Sequence, residues 1–244
     1  MSGGGDADLA AVGALVGDPG RCRILLALDD GRALPASRLA AEAGVSAATA
    51  SSHLGKLTAA GLLAVEPRGR HRYYRLAGPE VAELLEALQR LAPVAPVRSL
   101  RQGTRAAALR EARTCYDHVA GRLGVALMAA LIDRGHLTGG DGSYDPALTD
   151  GRAGYGHEVD YRLSPGGGDF LAGFGVRVPP QRRLVRYCVD WSEQRHHLAG
   201  GLGRGLLDRL HELDWIRRTD ATRALRVTDR GRAGLRTTFG VDLS

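Results

Sequence analysis

Residues 46–63 read Ser46-Ala-Ala-Thr-Ala-Ser-Ser-His-Leu-Gly-Lys-Leu-Thr-Ala-Ala-Gly-Leu-Leu63, and residues 68–76 read Arg68-Gly-Arg-His-Arg-Tyr-Tyr-Arg-Leu76. The first stretch is predicted to be a helix: Ser46 is a capping residue type, Gly61 is a stop, and Leu54 and Leu57 fall three apart on one face. Left for the exposed side are Ser46, Thr49, Ser51, Ser52, His53 and Lys56, which are small polar groups and one lysine. The second stretch belongs to a hairpin, Leu62–Val65 and Arg72–Leu76, joined by Pro67-Arg-Gly-Arg70 and crowded with arginine at its tip. Short Ser and Thr side chains let a helix sink into the major groove of a duplex, and a basic hairpin straddles the adjacent phosphates. From Thr49 to Leu76 the cations Lys56, Arg68, Arg70, Arg72 and Arg75 face Glu66 alone, a net +4, whereas residues 1–92 hold ten basic and ten acidic side chains. Positive charge is therefore concentrated on one helix and one hairpin. Double-stranded DNA is the expected partner, with Ser46, Thr49, Ser51, Ser52, His53, Lys56, Arg68, Arg70 and Arg72 as contact residues.

The flanking elements frame this pair. Leu9, Val12 and Leu15/Val16 recur at helical spacing, and Asp18-Pro19 reads as a cap followed by proline at the first helical position of a second helix ending near Leu28. A third helix runs from Pro35 to Gly44, the expected left-handed stop. After the hairpin, Val81, Leu84, Leu85 and Leu88 mark a final helix from Pro79 to Leu91. Three helices, a recognition helix, a hairpin and a closing helix predict a winged helix-turn-helix over residues 7–92.

The segments Asp18-Pro-Gly-Arg-Cys-Arg-Ile-Leu-Leu-Ala-Leu28, Val45-Ser-Ala-Ala-Thr-Ala-Ser-Ser-His-Leu54, Ala60-Gly-Leu62 and Gly69-Arg-His-Arg-Tyr-Tyr-Arg-Leu76 resemble the ArsR/SmtB-type bacterial repressors over about a third of the chain. The resemblance implies a homodimer built on the first and last helices of this domain, an inverted-repeat operator, and relief of repression by an effector. Two departures stand out. Where the arsenic-type sensors carry Cys-x-Cys in the third helix, this chain has Ala33-Leu-Pro-Ala-Ser-Arg38. Where the zinc sensors carry Asp and His on the last helix, Pro79–Leu91 has neither. The family's usual metal sites are absent.

At 244 residues the chain is long enough for two domains, and a hydrophobic content of 44% is that of a globular protein. Net charge +6 and a pI near 9.6 permit nucleic-acid binding without establishing it. Lys56 is the sole lysine among 33 basic residues, an arginine bias read as genome composition first. Three scattered cysteines and an N-terminus Met-Ser-Gly-Gly-Gly without a basic and apolar run suggest a frayed tail, a reducing cytoplasm and no structural disulfide. No apolar run approaches the roughly 18 residues of a membrane span. No phosphate-binding Gly-rich loop, Gly-x-Ser-x-Gly elbow or His-Glu-x-x-His is present, which disfavours the alternative of an enzyme with an accessory DNA-binding domain.

Residues 93–103 read as a proline-punctuated linker, and residues 104–244 as a sensor or assembly domain containing an internal repeat, about 115–178 and 188–243. Cys115-Tyr-Asp-His-Val-Ala-Gly-Arg-Leu-Gly124 is matched by Cys188-Val-Asp190 and His197-Leu-Ala-Gly-Gly-Leu-Gly203, and the ends of the two copies also correspond. Each copy is predicted as a long helix (105–134 in the first), a strand (His136–Leu137; Trp215–Arg217), a returning strand and a short helix, the back half of a winged helix used twice. A rival alignment uses Leu148-Thr-Asp150. The fold class expected overall is mainly α with small β-hairpins, α+β. Arg101, Arg105, Arg110 and Arg113 offer a minor alternative of added phosphate contacts.

Cys115, Tyr116, Asp117, His118, Cys188, Asp190, Trp191, His196, His197 and Trp215 are the effector candidates. A small-molecule pocket between the copies, lined by Tyr116, Trp191 and Trp215, is one reading, and no cofactor is then required. The alternative is a metal- or thiol-sensing site at Cys115, His118, Cys188 and His197, whose soft and borderline donors suit zinc or another transition metal. On the helical reading, Cys115 and His118 share a face because they stand three apart. A third possibility is that the repeated Cys and His serve packing alone.

Overall fold

Asp18 begins α2 (Pro19–Leu28) by accepting the Arg21 N–H at 2.8 Å, and Ser46 begins α4 (Ala47–Ala59) by accepting that of Thr49 at 3.1 Å. Between them α3 (Ala36–Ala43) stops at Gly44, whose φ of +68° turns the chain left-handed. Ahead of these lies α1 (Leu9–Val16). Ala50, Leu54 and Leu57 of α4 are buried, as are Ile24, Leu25 and Leu28 of α2 and Leu39 of α3. The hairpin is β2 (Leu63–Arg68) and β3 (His71–Leu76), paired from Leu63↔Leu76 to Arg68↔His71. β1 (Leu34–Pro35) adds to the far side of β3, giving a three-stranded sheet of order β1-β3-β2. That edge strand is too short, and too rich in proline, to register as a strand in sequence. Helix α5 (Pro79–Leu91) follows. This computed structural model describes residues 6–93, 96, 99–145, 159–178, 183–219 and 223–243. The chain divides into two units, 1–85 and 86–244, so the second half of α5 belongs to the second unit.

The second unit corrects one expectation. Helix α6 (Leu100–Glu111) begins within the stretch read as linker, and no helix spans 105–134. The chain instead forms the hairpin β4 (Arg113–Cys115) and β5 (His118–Ala120) before α7 (Gly121–Asp133). Two residues enforce the break: Tyr116 turns at φ +55° and Gly121 at φ +76°. Gly121 is irreplaceable at that bend, since a Cβ there would sit 2.7 Å from the Arg110 carbonyl oxygen. The rest follows the predicted order, with β6 (Leu137–Thr138), β7 (Arg162–Leu163) and α8 (Pro165–Phe174).

The second copy repeats it as β8 (Arg186–Val189), β9 (His196–Ala199), α9 (Gly200–Glu212), β10 (Ile216–Arg218), β11 (Leu225–Val227) and α10 (Asp229–Phe239). Each copy is thus hairpin, helix, hairpin, helix. The leading hairpin is the part that helical periodicity concealed. Corresponding positions do the same work in both copies: Ser164 caps α8 through Gly167 N–H at 3.0 Å, and Thr228 caps α10 through Gly231 N–H at 2.9 Å. Leu123, Leu127 and Leu131 of α7 and Leu202, Leu206 and Leu210 of α9 share one core. Leu148-Thr-Asp150 lies outside the described residues. No helix among those described is long and apolar enough to cross a membrane.

Candidate functional site

In the first unit α4 leaves Ser46, Thr49, Ser51, Ser52 and Lys56 exposed. His53 departs from the expected exposed side: its side chain is 13% exposed and its Nε2 lies 3.7 Å from Asp18 Oδ1 at the start of α2. A Cβ on Gly20 would come within 2.8 Å of that ring, so glycine there makes room for the histidine. His53 therefore braces α2 against α4 and is not a free contact group. At the hairpin tip, Gly69 turns at φ +60° and presents Arg70, His71 and Arg72 to solvent. Arg68 is also exposed but engaged, 2.9 Å from Glu66, which accepts a second bond from Arg75 at 2.7 Å. Those two bonds hold the Glu66 carboxyl below its usual range. The net cationic tip is consequently carried by Arg70 and Arg72.

In the second unit, four repeat residues converge. The ligand-type atoms of Cys115, His118, Cys188 and His197 all lie within 4.8 Å of one another, and the two Nε2 atoms are 3.1 Å apart. Register accounts for it. Cys115 pairs across the strands with His118 in β4–β5, and Cys188 pairs with His197 in β8–β9. Each hairpin thus offers one thiol and one imidazole side by side. The repeat in the sequence singled out these same four residues, but the shared helix face between Cys115 and His118 is corrected to a cross-strand pair. Hydrogen bonding to Cys188, and then burial, pushes the Cys115 thiol well above its ordinary range.

Carboxylates back both imidazoles. His118 Nδ1 is 3.3 Å from Asp117 Oδ1, and His197 Nδ1 is 3.3 Å from Asp190 Oδ2. His118 Nδ1 is hydrogen-bonded, an arrangement that leaves the Nε2 of a neutral imidazole as its electron-pair donor, whereas His197 Nδ1 stands at ion-pair distance from its carboxylate. Asp190 is fully buried and accepts from the Gly121 N–H at 2.7 Å and from the Ser192 hydroxyl at 2.8 Å. It also pairs with Arg113 at 3.0 Å, and Arg113 in turn lies 3.6 Å from Glu86 in the second half of α5. Burial opposes charge on Asp190, but His197 and Arg113 outweigh it and hold the carboxyl far below the usual range.

The remaining candidates scatter. Arg113 is fully buried, which removes it from any phosphate-contact series; Arg105 and Arg110 are exposed, and the Arg101 side chain lies outside the described residues. Trp215 is in the core, its ring 5.4 Å from that of Phe174, so it does not wall a pocket with the others. Trp191 is half-buried under the Arg113 guanidinium at 4.7 Å, and Tyr116 occupies the β4–β5 turn. His196 bonds Tyr161 at 2.9 Å and is lowered to about 4 by burial and then by the charge of His197. Glu86 is the residue sequence reading missed, and Arg113 was read into the wrong role, because nothing local signals an ion pair between distant segments.

Comparison with known proteins supplies the family. Residues 16–66 match the Helix-turn-helix domain. The HTH-type transcriptional regulator YdfF of Bacillus subtilis is 39% identical over 229 residues, 92% of this chain and 94% of that protein. The HTH-type transcriptional regulator CmtR of Mycobacterium bovis is 41% identical over 80 residues, 33% of this chain and 67% of its own length. Among solved structures, a homodimeric winged helix-turn-helix DNA-binding domain from Mycobacterium bovis, described as a possible ArsR-family regulator, is 29% identical over 36% of this chain and 88% of that one, with a TM-score of 0.32. The cadmium metal-sensor CmtR of Mycobacterium tuberculosis is 36% identical over 38% of this chain and all of that one, with a TM-score of 0.28. With its winged helix-turn-helix unit and a likeness to the Bacillus regulator that runs almost end to end, the chain belongs to the HTH-type DNA-binding transcriptional regulators of the ArsR/SmtB kind.

Proposed function

We propose that the chain is a homodimeric repressor that binds an inverted-repeat operator and is released by an effector received in the second unit. The observation that carries this reading is the exposed Thr49, Ser51, Ser52 and Lys56 surface of α4 in the same unit as the exposed Arg70 and Arg72 tip. The helix has the small polar side chains that base edges accept, and the hairpin has the cations that phosphates accept. Dimerisation is supported by α1, which buries none of its residues within one chain and leaves Leu9 79% exposed. Leu88 and Leu91 of α5 are likewise open to solvent. A two-fold dimer sets its recognition helices about 34 Å apart, one turn of duplex. The test is selection of bound DNA from a random pool by the full chain, with light scattering of the free protein. An enriched inverted repeat and a dimer are expected. Enrichment without dyad symmetry, or a monomer that binds a half-site tightly, overturns the reading.

A further inference from the structure

We propose that Cys115, His118, Cys188 and His197 are the ligands of a tetrahedral site for a zinc-class divalent ion, and that loading this site is the effector signal, the second part resting on the repressor reading above. The family's own metal positions lack ligands here, so the site would be particular to the duplicated second unit. In a tetrahedral site with metal–nitrogen distances of about 2.0–2.1 Å and metal–sulfur distances of about 2.3 Å, neighbouring ligand atoms stand roughly 3.3–3.8 Å apart. The two Nε2 atoms are at 3.1 Å and no pair of ligand atoms exceeds 4.8 Å, so a slight opening of that pair and closure of the others by at most about an ångström complete the shell.

The donor set fits one ion class. Two sulfurs and two imidazoles select tetrahedral zinc-like ions over magnesium or calcium, which take oxygen. On binding, each thiol releases one proton to solvent, and the two thiolates cancel the dication's charge, leaving a neutral buried centre. Asp117 and Asp190 behind the two imidazoles are the partners that metal-bound histidine commonly has. Four protein ligands leave no open position, so the site suits a structural or signalling ion and not a hydrolytic one. A route outward also exists. His197 rests on Asp190, Asp190 on Arg113, and Arg113 on Glu86 of α5, a helix whose first half belongs to the DNA-binding unit.

Cobalt(II) titration of the reduced full chain tests the site. The expected result is one equivalent bound, with the ligand-field bands of tetrahedral cobalt and a thiolate-to-cobalt charge-transfer band, all displaced by zinc. Cys188→Ser and His118→Ala should abolish or reshape those bands. Asp117→Asn, a change to a positioning residue, should keep them but weaken affinity about 10–100-fold. Should the ligand variants fail to fold, alkylation of the wild type decides: metal should protect the half-buried Cys188 while Cys22 in α2 stays reactive. A folded, reduced wild type that gives no tetrahedral spectrum, or whose Cys188 alkylates alike with and without metal, overturns the site. So does a Cys115–Cys188 disulfide that forms equally fast in the presence of zinc. For the signal, zinc should weaken binding to the selected operator by about 5–150-fold, reversibly with chelator. A full cobalt spectrum with unchanged operator affinity overturns the effector role and leaves the site standing. Failure to select any DNA overturns the repressor reading and the effector role together, while the cobalt spectrum still decides the ligands.

Discussion

Gly124 of one copy faces His197 of the other copy. A Cβ at Gly124 would stand 3.4 Å from the His197 Cβ and 2.4 Å from the Val119 carbonyl oxygen. The relation is reciprocal: a Cβ at Gly203 would stand 3.1 Å from the His118 Cβ and 2.5 Å from the Leu198 carbonyl oxygen. Helices α7 and α9 therefore each pass the other copy's histidine, and glycine is required at both positions by the nearby carbonyls of Val119 and Leu198.

Gly124→Ala is expected to destabilise the second unit by about 1–3 kcal/mol, because the clash is with backbone that cannot rotate away. Gly173 in α8 is the control, since a Cβ added there would meet nothing within 4 Å. Gly173→Ala should be neutral or stabilising by about 0.5–1 kcal/mol. Paired thermal melts check both.

Arg113→Leu should cost about 3–5 kcal/mol, since it leaves two buried carboxylates, Glu86 and Asp190, without their shared cation. Urea denaturation reads the change. A loss below about 1 kcal/mol would mean that these carboxylates find other partners.

Glu86 sets an acid limit. Burial favours its neutral form, but the Arg113 and Arg223 guanidiniums outweigh burial and hold it below the ordinary carboxylate range. A carboxyl lowered on folding contributes stability above its unfolded pKa of about 4.3, and loses it as pH falls toward the folded value. The stability gap between wild type and Glu86→Gln should therefore be widest near neutrality and close as pH drops below about 4. A gap constant from pH 7 to pH 3 would rule this out.

Arg70→Ala should weaken binding to all DNA sequences about equally and make the salt dependence shallower by roughly one unit of slope. Fluorescence anisotropy across a salt series measures it. An unchanged slope would remove the hairpin tip from the interface.

Ser52→Ala should act in the opposite manner. Its side chain is exposed and is not needed for the core, so the salt slope should hold while preference at one base-pair position relaxes by about 1 kcal/mol. Repeating the selection with the variant gives the comparison.

The winged helix was legible because its signals are local: Asp18-Pro19, Gly44, Ser46 and Gly61 each mark an element boundary within one turn of chain. The β4–β5 hairpin was not. Its two-residue turn places Tyr116 at positive φ where Gly or Asn usually gives the signal, and the apolar spacing runs on from α6 into α7. The cluster of Cys115, His118, Cys188 and His197 was readable as residues through the repeat, though cross-strand register, not helical spacing, joins each pair. His53 and Trp215 were misplaced because their partners, Asp18 and Phe174, lie far along the chain. The same distance hid Glu86 and the pairing of Arg113.

Internal duplication ordinarily gives a protein a spare. Here it does not, because the cluster takes one thiol and one imidazole from each copy, and each copy's helix passes the other's histidine. Neither half holds all four side chains, so loss of one in one copy has no backup in the second.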